Sequence, residues 1–234
     1  MPASKVAVII PARDEEQAIG KLIAEIPHEA VQQIIVADNG SLDRTAEVAA
    51  GSGAEVVAEP RKGYGQACLA GMRCLAPDVS VVVFMDGDYS DLPAEIPLLL
   101  EALHRERADL VIGSRVLGQA EKGSLTPQQR FGNWLSTELI RLAYGHRYTD
   151  LGPFRAIRAQ ALNRLQMQDP NFGWTVEMQV KALRLGMKVI EVPVSYRRRI
   201  GKSKVSGTIA GSIQAGVKIL WTIGRLSLKS DAAH

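Results

Sequence analysis

Apolar residues arrive in short blocks, and each block closes on polar or charged residues. The clearest is Val81–Val82–Val83–Phe84–Met85, a β-branched and aromatic run that predicts a buried strand and ends in Asp86–Gly87–Asp88. Upstream, Lys5–Ile10 predicts a strand entering Pro11–Ala12–Arg13–Asp14–Glu15–Glu16, with Asp14 as N-cap of a helix to about Ile26. Gln33–Ala37 predicts a second strand closing on Asp38–Asn39–Gly40–Ser41, with a helix from about Asp43. Ala54–Ala58 predicts a third, followed by Pro60–Arg61–Lys62–Gly63–Tyr64–Gly65 and a helix to about Leu75. After the Asp-Gly-Asp strand, Asp91–Leu92–Pro93 is expected to cap a helix with proline at its first position. Leu110–Ile112 predicts a fifth strand ending in Gly113–Ser114–Arg115.

Strands alternating with helices indicate an α/β fold with a mostly parallel sheet covered on both faces. In such a sheet the C-terminal strand ends share one edge, where ligands bind. Four polar strand ends (Pro11–Glu15, Asp38, Asp86–Asp88 and Arg115) are therefore expected to converge on one cleft. Two carboxylates at a central strand end are costly unless a cation or ligand uses them. A divalent ion on Asp86 and Asp88 would offset a diphosphate's charge, and Gly87 would let that group approach the backbone. An ordinary strand closed by an Asp-Gly turn is the competing reading.

The second half is less regular. Gln119–Thr126 reads as a polar loop, Pro127–Tyr144 as a helix carrying Arg130, and Thr149–Arg155 as a tight connection into a short strand. Trp174–Leu185 predicts a helix with Glu177 on it, and Lys188–Tyr196 a strand. Apolar residues at helical spacing in Ser206–Leu228 predict a C-terminal helix that either covers the sheet or lies on a membrane with Trp221 at the interface.

Composition changes this picture little. The chain has 234 residues and a net charge of +3, too small to imply nucleic-acid binding by itself. Five cations nevertheless crowd into Arg197–Lys204. No aromatic residues interleave them for base stacking, so no nucleic-acid partner is expected. Cys68 and Cys74 have no metal-ligand company and read as reduced thiols. With no signal-peptide pattern and no apolar run of spanning length, a cytoplasmic location is expected, with peripheral contact at the inner face of the cell membrane left open. The oligomeric state is equally open, a homo-oligomer included.

The motifs VIIPARDEE at 8–16, VADNGSLDRT at 36–45, GYGQACLAGM at 63–72, MDGDYSDLP at 85–93, GSR at 113–115, TDLGPFRAIR at 149–158, WTVEMQVKA at 174–182 and YRRRIGKSKVSGT at 196–208 follow in order. Together they resemble the inverting GT-A glycosyltransferases of family 2, especially the polyprenyl- and dolichyl-phosphate sugar synthases. The resemblance implies a glycosyltransferase domain at 1–204, divided into a nucleotide-binding half at 1–115 and an acceptor half with a basic lid at 116–204. A C-terminal amphipathic helix and tail would occupy 205–234.

It also implies a UDP- or GDP-sugar donor and Mg or Mn held by Asp86 and Asp88. Pro11, Ala12, Arg13, Glu15, Asp38, Lys62, Gly65 and Gly87 would lie along the donor, and Arg130, Arg199, Lys202 and Lys204 along the acceptor or diphosphate. Ser90 stands where similar synthases carry a glutamine metal ligand, and Asn39 where many carry a second aspartate. TDLGPFR departs from the Ser-Gly-Phe-Arg pattern common in mannose-phosphate synthases.

Acceptor chemistry divides the readings. A polyprenyl phosphate needs cations to dock it, with Arg115 and Arg155 as candidates, and no base. A soluble or glycolipid hydroxyl needs a general base, for which Asp150 and Glu177 are candidates. Arg155 paired with Asp150, and Arg130 on a solvated helix face, are the structural alternatives. A non-catalytic nucleotide-binding module also remains open.

Overall fold

The structure is a computed structural model that describes residues 4–201 together with 221, 222 and 224. Its centre is a seven-stranded sheet ordered β3-β2-β1-β4-β6-β5-β7. The strands are β1 (Val6–Ala12), β2 (Gln33–Asp38), β3 (Glu55–Ala58), β4 (Val81–Phe84), β5 (Leu110–Ala120), β6 (Arg155–Arg158) and β7 (Val189–Tyr196). Only β6 runs against its neighbours, pairing antiparallel with β4 and β5. The C-terminal ends of the other six therefore share one edge, and β6 starts there with Arg155.

Helices α1 (Ile19–Ala24), α2 (Thr45–Gly51) and α4 (Ile96–Arg105) cover one face; α3 (Tyr64–Arg73), α5 (Pro127–Tyr144), α6 (Ala159–Leu165) and α7 (Trp174–Arg184) cover the other. The two cores divide by strand alternation. Val8, Ile10, Val81 and Val83 face α1 and α4, whereas Ile9, Val82 and Phe84 face α3 and α7. Phe84 meets Trp174 edge-on at 5.9 Å between ring centroids. Cys68 is buried and Cys74 half-buried, both as free thiols.

Several local expectations are corrected. Asp14 caps no helix: its φ is 51°, α1 starts only at Ile19, and its carboxylate accepts from Leu42 N–H at 2.7 Å across to the β2–α2 loop. Asp91 is no cap either. It is buried and accepts from Asp86 N–H at 3.1 Å, while Leu92 precedes a short 3-10 turn, Pro93–Glu95, that leads into α4. β5 does not stop at Ile112. It continues through Gly113–Arg115 to Ala120, with an irregularity between Ser114 and Gln119, so Gln119 and Ala120 are strand rather than loop. α5 matches its expected limits for a local reason: Thr126 and Gln129 form a capping box, Pro127 follows, and Gly145 closes the helix at φ 69°. Helix α6 had no sequence expectation. Lys202, Lys204 and nearly all of the expected C-terminal helix lie outside the described residues.

Candidate functional site

Pro11 and Ala12 are the last residues of β1, paired with Ala37 and Asp38 of β2, so the first two polar strand ends lie side by side. Asp38 is partly exposed and accepts from the Ser41 hydroxyl and from Ser41 N–H. Arg13 lies 3.7 Å from the Asp14 carboxylate. Glu15 is buried, and its N–H donates to Thr45 Oγ1 at 2.7 Å. Asn39 is spent on structure: its amide donates to Glu59 and Arg61 carbonyls and its Oδ1 accepts from Gly63 N–H at 2.8 Å, latching the loop after β3. Lys62 on that loop is exposed.

Gly65 has a packing role that its sequence position did not disclose. A Cβ there would lie 1.9 Å from the Asp169 carbonyl oxygen, and one at Gly63 would lie 2.1 Å from that of Pro170. Gln66 N–H donates to Pro170 O at 2.9 Å, so the second half of the chain docks directly on the N-terminus of α3. Glu177 holds that docking loop. Its buried carboxylate accepts from Gln168 N–H and Asp169 N–H and pairs with Lys181 at 2.7 Å.

At the end of β4 three carboxylates gather. Asp86 is partly exposed, Asp88 and Asp91 are buried, and Oδ1 of both Asp86 and Asp91 lacks a hydrogen-bond partner among the described residues. Burial, then the charge of Asp88, pushes the Asp86 carboxyl up to about 6. Burial and the charge of Asp86 raise Asp91 well above the carboxylate range. The cluster is thus short of positive charge. Ser90 is buried and donates both its hydroxyl and its N–H to Asp88, so it orients that carboxylate rather than facing the cleft. A Cβ on Gly87 would meet Ala12 Cβ at 3.2 Å, which keeps the turn close to the end of β1.

Two arginines face this cluster. Arg199 reaches Asp88 at 2.8 Å, and Ile200 N–H donates to Asp88 O, bringing the start of the basic segment onto the Asp-Gly-Asp turn. Arg197 stacks over Tyr89 at 3.3 Å and pairs with Glu25 at 2.9 Å. Arg115 grips Asp150 by two side-chain bonds of 2.8 and 2.7 Å, Arg115 N–H adds a third of 2.8 Å, and Tyr196 lies 5.0 Å from the guanidinium. Burial works against the Arg115 cation, but the charge and hydrogen bonds of Asp150 outweigh it and raise the pKa.

The alternative pairing of Arg155 with Asp150 does not form: Asp150 belongs to Arg115. Arg155 is fully buried and donates to the carbonyls of Gly152 and Thr175, bracing the 151–152 turn from beneath. Arg130 lies exposed on α5, away from these contacts. The signal that could have revealed Arg115–Asp150 was the pairing of β5 and β6 across one edge, which no local pattern encodes.

The site thus combines a polar pocket at β1 and β2, an acidic turn at β4 and cations arriving from β5 and β7. The profile of the family described as Glycosyl transferase family 2 matches residues 7–166, more than half of the sequence. The chain belongs to glycosyl transferase family 2. An uncharacterized glycosyltransferase of Mycobacterium tuberculosis is 38% identical over 217 residues, spanning 92% of this chain and 96% of its own length. The undecaprenyl-phosphate mannosyltransferase of Micrococcus luteus is 31% identical over 229 residues, covering 91% and 92%. The dolichyl-phosphate hexose transferase of Haloferax volcanii is 32% identical over 217 residues, covering 92% of each chain. Among solved structures, glucosyl-3-phosphoglycerate synthase from Mycobacterium tuberculosis, in complex with Mn2+, UDP and phosphoglyceric acid, superposes with a TM-score of 0.74 at 24% identity. It covers 94% of this chain and 79% of its own. That likeness establishes the GT-A fold. The family 2 protein is a glycosyltransferase, and no helix among its described residues is long and apolar enough to cross a membrane.

Proposed function

We propose that this glycosyltransferase moves a hexose from a UDP- or GDP-sugar to a polyprenyl phosphate in one inverting displacement. The carrying observation is the state of the two candidate bases. Asp150 accepts three bonds from Arg115, and Glu177 is occupied by backbone N–H groups and Lys181. A hydroxyl acceptor needs a free base, whereas an ionised phosphate is already a nucleophile. Two relatives, from Micrococcus luteus and Haloferax volcanii, are named for transfer to polyprenyl-type phosphates, which supports this reading.

A divalent ion fits the acidic turn. Asp86 and Asp88 offer hard oxygen ligands, and the partnerless Asp86 Oδ1 is available to one. Among the described residues no group of three His, Cys, Asp or Glu side chains is arranged as a metal site, so the remaining ligands would come from the diphosphate and water. Mg or Mn held there would offset the charge that develops on the departing nucleoside diphosphate. Arg199 and Arg115 add fixed positive charge at the same end of the sheet. Asp38, paired with Ala12 at the end of β1, would accept from ribose or base groups, with Pro11, Ala12, Arg13 and Glu15 lining the donor in this reading.

The test is transfer of labelled sugar from UDP- and GDP-hexoses to a polyprenyl monophosphate, with Mn or Mg and with a chelator. A metal-dependent glycosyl phosphoryl lipid is the expected product. Sugar incorporation only into a hydroxyl acceptor would overturn the proposal.

A further inference from the structure

The Gly63–Tyr64–Gly65 motif holds a tyrosine whose backbone is pinned on several sides. Gly63 N–H donates to Asn39 Oδ1 at 2.8 Å, and Gln66 N–H to Pro170 O at 2.9 Å. Both glycines lie so close to the 169–170 backbone that no side chain fits at either. Toward the other end of α3, Gly71 rests on β1, where a Cβ would come within 2.6 Å of Ile9 Cγ2. Helix α3 is thus fixed against three separate parts of the chain, and Tyr64 is its first residue.

The Tyr64 ring packs on the core beneath α3, a task that phenylalanine would serve equally. Its hydroxyl is buried and has no hydrogen-bond partner among the described residues, and the same holds for Oδ1 of Asp86. A buried hydroxyl left in that state costs about 1–3 kcal/mol. The two groups face each other without closing a hydrogen bond. Burial and the charge of Asp88 disfavour the Asp86 anion, and the Tyr64 hydroxyl works the other way and favours it. Burial, and next the charge of Asp86, push the hydroxyl's own pKa up, so Tyr64 keeps its proton and meets that carboxylate as a donor. Asp86 is held through its backbone as well, where its N–H donates to Asp91 Oδ2 at 3.1 Å. A carboxylate has about four acceptor positions, enough to take a tyrosine hydroxyl and a cation at once.

We infer that Tyr64 is a positioning residue, its hydroxyl orienting the Asp86 carboxylate for the divalent ion. The inference rests on the metal reading of the Asp86–Asp88 turn. It gives Tyr64 no contact with donor, acceptor or ion. Groups that hydrogen-bond a metal ligand set its orientation and basicity, and losing one lowers metal affinity roughly 10–100-fold.

The experiment is calorimetric titration of Mn into the full chain preloaded with UDP, and separately with GDP, for wild type, Tyr64→Phe and Asp88→Ala. Melting temperatures are taken in chelator. Tyr64→Phe should bind Mn about tenfold more weakly than wild type while melting no lower, because the hydroxyl it removes makes no closed hydrogen bond. A merely structural tyrosine would give the reverse, a lower melting temperature with Mn affinity unchanged, and that result would overturn the inference. Equal Mn affinity at equal melting temperature would overturn it too. Asp88→Ala binding Mn like wild type, or wild type binding none, would instead overturn the metal reading, and the inference with it.

Discussion

Asp150→Asn separates a structural carboxylate from a catalytic one. The Asp150 carboxylate is buried and takes the guanidinium of Arg115 in a two-pronged grip, while Arg115 N–H donates to the same Oδ2. An asparagine keeps the shape, yet turns an N–H2 toward donors and takes the directly paired carboxylate from a nearly buried guanidinium. Breaking one side of a buried pair costs about 3–5 kcal/mol. The Arg115 side chain keeps 14% exposure, which places the cost near the lower end, about 3 kcal/mol. For a chain of this size that is a fall in melting temperature of about 6–12 °C. Thermal denaturation followed by circular dichroism reads it directly. Turnover should fall as Arg115 loses its position, with the shape of the pH–rate profile kept. A double-mutant cycle with Arg115→Met should give strongly non-additive losses, because both substitutions break the same pair. An Asp150→Asn protein that melts like wild type but loses turnover together with one limb of the pH profile would refute this reasoning and make Asp150 a base.

Three further outcomes follow from other contacts. Gly65→Ala should cost about 3 kcal/mol or prevent folding, because its Cβ would fall 1.9 Å from the Asp169 carbonyl oxygen; a melting temperature equal to wild type would contradict the close docking of that loop. Glu177→Gln should lower stability by about 2 kcal/mol through the 168–169 turn and Lys181 while leaving the pH–rate profile unchanged, and a lost limb would instead mark it as a base. Glu59, buried between Arg61 at 2.9 Å and Arg73 at 3.1 Å, has its carboxyl held down to about 2 from the ordinary 4.5, chiefly by the Arg61 hydrogen bond. Its stabilisation is therefore complete above the ordinary value and lost as pH falls from 4.5 toward 2; exposed arginine partners limit it to about 1 kcal/mol. Urea titrations of wild type and Glu59→Gln across that window should converge at its acid end, and a constant difference would contradict the assignment.

The alternating α/β order and the polar strand ends were legible because each rests on local chemistry: β-branched runs make strands, and turn residues close them. Convergence of Ala12, Asp38 and Asp86 on one edge followed from parallel pairing of β2, β1 and β4, whereas Arg115 reaches it across the antiparallel β6. Partners distant in sequence were not legible. Asp14 looked like a cap because its preference for helix starts is local, while its actual bond to Leu42 crosses to another loop. The contest between Arg115 and Arg155 for Asp150 depends on β6 running backwards between β4 and β5, which a four-residue strand does not announce. Gly65 suggested a nucleotide loop, and its tight contact with Asp169 required knowing how the two halves of the chain meet.

The pair Asp86–Asp88 carries the account, and titration calorimetry of UDP and GDP, with and without Mn, on wild type and Asp88→Ala tests it most directly. Wild type should bind one of the two nucleotides at least about tenfold more tightly with Mn, and Asp88→Ala should lose that enhancement while still folded. An enhancement of equal size in Asp88→Ala would contradict the claim.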